Sequence, residues 1–286
     1  MNYTDWFCLY MTTYKKKLKP RTCEEYQRQH RTYVAPIIGE KPLEAITPED
    51  CQEVINAAAE NGDRISQAVY ALLHACFARA VRSRRLQWSP MEAIDRPKHR
   101  AKMGETLTDE DYKAALPFIR QDLALSLALF AGLRRGEIAG LQWRDIDLAA
   151  GSIRIQRIRH RVEGQLITAP PKSDAGAREL PIAPELLPVL RKNYRLSPSS
   201  FCIQTTPEAI DRRWRKIQQR DIKLSKAYRL HDLRHTYVTR AILAGTLPRV
   251  VQYLAGHSTL DLTLQVYSHI TAEDAKAEVL RVASLH

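Results

Sequence analysis

The chain has 286 residues, of which 44% are hydrophobic and 27% charged, and it carries a formal net charge of +12. That balance suits a soluble globular chain of one large or two modest domains with a real core, and it excludes disordered and fibrous classes. The longest nearly apolar run, 124–133, is too short for a bilayer, which needs roughly 20 residues.

No basic leader followed by an apolar stretch is visible, so a cytoplasmic, nucleoid-associated protein is expected. Five cysteines without a CxxC pair read as reduced thiols rather than as a disulfide framework or a zinc site. Lys and Arg outnumber Asp and Glu in both halves of the chain. This predicts a polyanionic partner, most simply nucleic acid, touched by both.

The first third reads as helices. Segments 5–17 and 22–37 are helical candidates separated by Leu18-Lys19-Pro20. Thr47-Pro48-Glu49-Asp50 is a helix start, with Thr as N-cap, Pro at the first helical position and acids in the first turn. From Ser66 onward, Val69, Leu72, Leu73, Cys76, Phe77, Ala80 and Val81 recur at helical spacing. That helix ends among Arg79, Arg82, Arg84 and Arg85. A four-helix unit over 1–95 is expected, followed by a basic linker over 96–105 that holds Lys98, Arg100 and Lys102.

The second unit, 106–286, opens with Thr108-Asp109-Glu110-Asp111, another N-cap with acids in the first turn. Helices are expected to about Leu141. Segments 152–158, 165–168 and 178–182 look extended. They predict one small antiparallel sheet with a turn at 173–176. Helical patterns return after Ala183, and 272–283 reads as a short tail helix.

Within this unit the residue types suited to phosphate chemistry fall in order. Arg134 follows a glycine in Gly132-Leu133-Arg134-Arg135-Gly136-Glu137. Lys172 precedes the expected turn. His231 and Arg234 are spaced i, i+3, so a helix projects both from one face. His257 lies in Leu254-Ala255-Gly256-His257, and Tyr267 in Tyr267-Ser268-His269. Taken singly, each has an ordinary structural reading: a surface arginine with Glu137 as its i+3 partner, an exposed turn lysine, a core or capping tyrosine.

Together, Gly-Leu-Arg-x-x-Glu, a turn-adjacent Lys, His-x-x-Arg-His-Thr, Leu-x-Gly-His and Tyr-Ser-His resemble the tyrosine recombinase, or phage integrase, family. The resemblance covers 106–286. It implies a mainly α fold with a small antiparallel β-sheet. A SAM-like, four-helix core-binding domain would precede a mixed α/β catalytic domain of the DNA breaking-rejoining type. It further implies Tyr267 as nucleophile, Arg134 and Arg234 as phosphate clamps, Lys172 and the two histidines His231 and His257 as further site residues, and Glu137 as support for the first arginine. No metal and no ATP are implied.

The implied partner is duplex DNA at a specific site, held by a homotetramer that assembles from free monomers. An accessory directionality or architectural protein is left open. The chemistry fits these residues independently of the family. Paired guanidiniums bind non-bridging phosphate oxygens and stabilise transition-state charge. A phenol with pKa about 10 needs a cationic site or a proton acceptor to react near neutrality. An ammonium can protonate the departing oxygen. Arg82, Arg84, Arg85, Arg212, Arg213, Arg215 and Lys216 are candidate DNA contacts beside the linker basics.

The reading is a site-specific recombinase for a prophage or mobile element. Its rivals are an Xer-like dimer-resolving recombinase, a type IB-like topoisomerase and a catalytically silent DNA-binding protein.

Overall fold

The computed structural model describes residues 1–98, 104–162, 164–171, 174–195 and 197–264. The chain divides into two compact units, Met1–Lys102 and Met103–His286.

Unit one is helical. Helix α1 (Tyr3–Leu9) widens into a π-turn over Tyr10–Tyr14. Helix α2 (Pro20–Gln29) passes through a second π-turn into α3 (Ala35–Ile38), and α4 (Pro48–Ala59) and α5 (Asp63–Arg82) complete four helical segments. The expected Thr47 N-cap starts α4, and Asp50 closes it into a capping box. The Asp50 amide donates to Thr47 Oγ1 at 3.3 Å, and the Thr47 amide donates to Asp50 Oδ2 at 3.1 Å. Tyr3, Trp6, Leu72, Leu73, Cys76 and Phe77 form the buried centre. Trp6 Nε1 donates to the Cys76 carbonyl at 3.2 Å, tying α1 to α5.

At the end of α5, Arg84 takes φ 56, the left-handed conformation usually left to glycine, and it is the one non-glycine residue that does so among those described. Arg82, Arg84, Arg85 and Lys98 are all exposed. The start of the expected linker is anchored rather than free. Ile94 is buried, and the Pro97 carbonyl accepts from Gln67 Nε2 at 3.2 Å. Arg100 and Lys102 lie outside the described residues.

Unit two begins with α6 (Asp109–Ile119), capped by Thr108 as expected, then α7 (Leu123–Phe130) and α8 (Arg135–Gly140). Helix α7, Leu-Ala-Leu-Ser-Leu-Ala-Leu-Phe, is buried on every side, as its unbroken apolarity requires. Its one polar side chain, Ser126, donates to the Ile119 carbonyl at 2.7 Å.

The β-structure differs from the expectation of one sheet. Strands β1 (Ile146–Asp147), β2 (Ser152–Ile155) and β5 (Arg178–Pro181) form one antiparallel sheet in the order β1-β2-β5. Strands β3 (Ile158–Val162) and β4 (Gln165–Ala169) form a separate antiparallel pair. The run 152–158 breaks at Gln156-Arg157 because Arg157 turns aside to pair with the buried Asp145. The strands before and after the break therefore take different partners. The expected turn at 173–176 joins β4 to β5, which do not pair with each other, so it is not a hairpin turn. Its described part, Asp174–Gly176, is a single 3₁₀ turn.

Helices α9 (Leu187–Asn193), α10 (Pro207–Arg220), α11 (Leu230–Leu243), α12 (Pro248–Ala255) and α13 (Asp261–Leu264) follow. The expected tail helix over 272–283 lies outside the described residues. Among the described residues no helix is long and apolar enough to cross a membrane.

Candidate active site

The site is assembled where α7 turns into α8. Gly132 adopts φ 62, and a Cβ there would stand 2.4 Å from the Tyr237 ring, so the turn requires glycine on both counts. Two residues on, Arg134 is the N-cap of α8. Its amide donates to Glu137 Oε2 at 2.9 Å and its Nη1 to Glu137 Oε1 at 2.8 Å. A carboxylate in the first turn of a helix is favoured by the exposed amides there. Here it also orients the arginine. The Arg134 side chain remains 38% exposed, whereas that of Glu137 is 2% exposed. The arginine is therefore held from beneath while a ligand can reach it.

Helix α11 supplies His231 and Arg234. Asp232 anchors its first turn, accepting from the Arg229 amide at 2.7 Å. Arg234 is buried, and its two Nη groups donate to the carbonyls of Gly132 and Ala255. The His231 ring meets that of His235 edge-on at 4.6 Å. His235 also packs flat under Gly104, where any Cβ would collide with it. That contact gives His235 a packing role.

Helix α12 ends in Gly256 at φ 62, ψ 45, the left-handed C-cap. The last carbonyls of a helix lack intrahelical partners and carry partial negative charge. Three arginines take three of them in succession. Arg178 Nε donates to Leu254 O at 2.9 Å, Arg234 Nη2 to Ala255 O, and Arg134 Nη2 to Gly256 O at 2.6 Å. His257 follows directly. Its amide donates to Gln252 O at 3.0 Å, and its Nδ1 lies 2.9 Å from Thr263 Oγ1, which leaves Nε2 for a ligand.

Sequence reasoning missed Arg178. Its signal was parity: in β5, Arg178 and Leu180 are buried while Glu179 and Pro181 are exposed. An arginine in register with a core leucine needs an internal partner, and Arg178 finds Glu137, with both Nη groups 3.2 Å from its oxygens.

The electrostatics follow from this crowding. Burial raises the Glu137 carboxyl, but Arg178, Arg134 and Arg234 outweigh it and hold the group below its usual range. Arg234 is brought down to about 9 by burial and by the neighbouring Arg134. Burial, then the positive charges of Arg234 and Arg134, lowers His257 to about 3. Burial, then His235 and Arg234, lowers His231 to about 4. As a residue His231 is exposed whereas His257 is half-buried, so water relieves more of the shift on His231, which is the easier of the two to protonate.

Both imidazoles are therefore neutral near pH 7 and able to accept a proton. In the DNA-free protein, the Cε1–H resonance of His257 is expected to stay flat from about pH 8 down to about pH 5. A midpoint near 6.5 in an NMR titration would show that the ring is open to water.

Arg134, Glu137, His231, Arg234 and His257 are thus brought together from α8, α11 and the end of α12. Lys172, in the β4–β5 connection, and Tyr267 lie outside the described residues. Arg212, Arg213, Arg215 and Lys216 are exposed on α10, and Arg213 is engaged with Asp122 at 2.9 Å. Among the described residues no cluster of three or more His, Cys, Asp or Glu could hold a metal ion.

Comparison with known proteins places this geometry. The model of the phage integrase family matches residues 104–274, and that of the phage integrase N-terminal SAM-like domain matches residues 2–58. A tyrosine recombinase of Thermosipho africanus is 27% identical over 197 residues, 65% of this chain and 64% of that protein. The ICEBs1 integrase of Bacillus subtilis is 25% identical over 286 residues, 92% of this chain and 77% of that protein. The chain thus spans less than two thirds of the first relative's length.

Among solved structures, the Tn1549 transposon integrase in complex with transposon right end DNA superposes with a TM-score of 0.82 at 22% identity, covering 99% of this chain and 100% of that one. A lambda integrase tetramer bound to a Holliday junction gives a TM-score of 0.67 at 17% identity, covering 91% of this chain and 78% of that one. These likenesses establish the fold, mainly helical with small antiparallel sheets, and the family match covers more than half of the sequence. The chain belongs to the phage integrase family.

Proposed function

We propose that this protein is a site-specific tyrosine recombinase that cuts and rejoins duplex DNA through a 3′-phosphotyrosyl intermediate. The observation that carries the reading is the convergence of Arg134 and Arg234 on the end of α12, from which His257 follows directly, with His231 on the same helix as Arg234. Each guanidinium has five N–H donors and uses only two in the contacts described. Donors therefore remain for the non-bridging oxygens of a phosphodiester.

Tyr267 Oη attacks phosphorus, and its proton passes to one of the two imidazoles. The bond from phosphorus to the 5′ oxygen breaks, and Lys172 protonates that oxygen. Religation is the reverse, with a 5′-hydroxyl of the partner strand displacing the tyrosine. One phosphoester replaces another at each step, so neither ATP nor a metal is required. The test is a nicked suicide duplex incubated in EDTA. A denaturation-resistant protein–DNA adduct supports the reading, and tight binding with no adduct points instead to an occupancy role.

The biological setting is integration and excision of a mobile element. The ICEBs1 integrase aligns with 92% of this chain, whereas an XerC-like relative aligns with 58%. Assembly as a tetramer on DNA is supported by Leu247, Val250 and Tyr253, which stand exposed at i, i+3, i+6 along α12. Exposed apolar faces of this kind mark protein contacts.

Exposed arginines and lysines in both units support a DNA affinity that comes largely from phosphate contacts. Binding to a nonspecific duplex should fall by roughly 10³-fold between about 50 and 200 mM salt if six or more phosphates are neutralised. A flat response in fluorescence anisotropy would count against a DNA clamp.

A further inference from the structure

Arg178 is a buried cation beneath the site. Its side chain is 1% exposed, and four of its five N–H donors are taken up inside the protein. Its guanidinium binds three things at once. Nε donates to Leu254 O at 2.9 Å, Nη1 to Gly176 O at 3.1 Å, and both Nη groups reach Glu137 at 3.2 Å. A Cβ on Gly256 would stand 2.7 Å from Arg178 Nη1, so the guanidinium lies against the turn that leads into His257. Glu137 in turn orients Arg134. One planar fork on β5 therefore links the carboxylate beneath the first phosphate-binding arginine to the end of the helix that delivers His257.

We propose that Arg178 is a positioning residue for strand cleavage, fixing the α12 terminus, and with it His257, relative to Arg134. The inference rests on the recombinase reading for its catalytic consequence and on geometry alone for its structural one.

A bare ion pair with Glu137 would be served equally by lysine. The fork that holds Leu254 O, Gly176 O and Glu137 together would not. Arg178→Lys separates these roles in the full-length protein. The expected result is a folded variant, by thermal unfolding, whose DNA affinity stays close to wild type. Its His257 Cε1–H resonance is displaced, and adduct formation on a saturating suicide duplex slows by roughly 10²-fold, as displacements of about 1 Å at a reacting centre do.

An unmoved His257 resonance with an unchanged cleavage rate overturns the proposal. If wild type itself forms no adduct, the recombinase reading fails, and the His257 resonance still decides the role of Arg178. Should Arg178→Lys not fold, Arg178→Gln/Glu137→Gln removes both buried charges together, and the same resonance is the readout.

Discussion

Arg234→Lys is expected to bind DNA nearly as wild type does and to cleave it roughly 10²–10³-fold more slowly, the usual loss when one preorganised donor to transition-state charge is removed. The reason lies in how the arginine is held. Its two Nη groups are fixed on the carbonyls of Gly132 and Ala255, which come from different elements. This orients the plane of the guanidinium before any substrate arrives. A lysine keeps the charge but has one nitrogen, which cannot span both carbonyls and still present a fork to phosphate.

Arg234→Ala goes further, because it leaves both carbonyls without a donor in a buried site. Each unsatisfied group costs about 1–3 kcal/mol. The alanine variant should therefore melt several degrees below the lysine variant as well as being inactive. Single-turnover cleavage and thermal unfolding measure the two effects separately. A lysine variant that cleaves at the wild-type rate would remove Arg234 from the phosphate site.

Local signals in the sequence were read correctly where the physics is local. Thr47 and Thr108 cap α4 and α6 as their spacing predicts, because an N-cap hydrogen bond spans only four consecutive residues. Of the stripe Val69, Leu72, Leu73, Cys76, Phe77, Ala80 and Val81, all but the half-buried Val81 are buried, as helical periodicity requires.

What was not legible depends on partners far along the chain. The split of 152–158 into two strands follows from pairing with 178–181 on one side and 165–169 on the other. Within those seven residues only Arg157 marks the break, and its partner Asp145 lies outside them. Arg178 escaped notice for the same reason. Its partners, Glu137 and Leu254, lie 41 and 76 positions away. The family motif identified the side chains that would face phosphate but not the end of α12 that three arginines share.

Tyr267→Phe is expected to abolish the covalent adduct entirely while leaving DNA affinity unchanged. The substitution removes one oxygen, and no charge is lost near neutrality because a phenol ionises at about pH 10. Phosphate contacts that set affinity are thus untouched, and only the attacking atom is gone. The competing nucleophile is specific. Tyr237 lies at the described site, with its ring against Gly132 and its phenol within the field of Arg178 and Arg234. Burial raises its pKa, which makes its phenolate harder to form.

Tyr237→Phe should therefore keep the adduct, and its loss there together with survival in Tyr267→Phe would reverse the assignment. A suicide duplex in EDTA, resolved under denaturing conditions for wild type and both variants, decides between the two phenols. An adduct lost only in Tyr267→Phe assigns the nucleophile to the residue ten positions beyond His257, in the segment that follows the α12 terminus on which Arg134 and Arg234 converge.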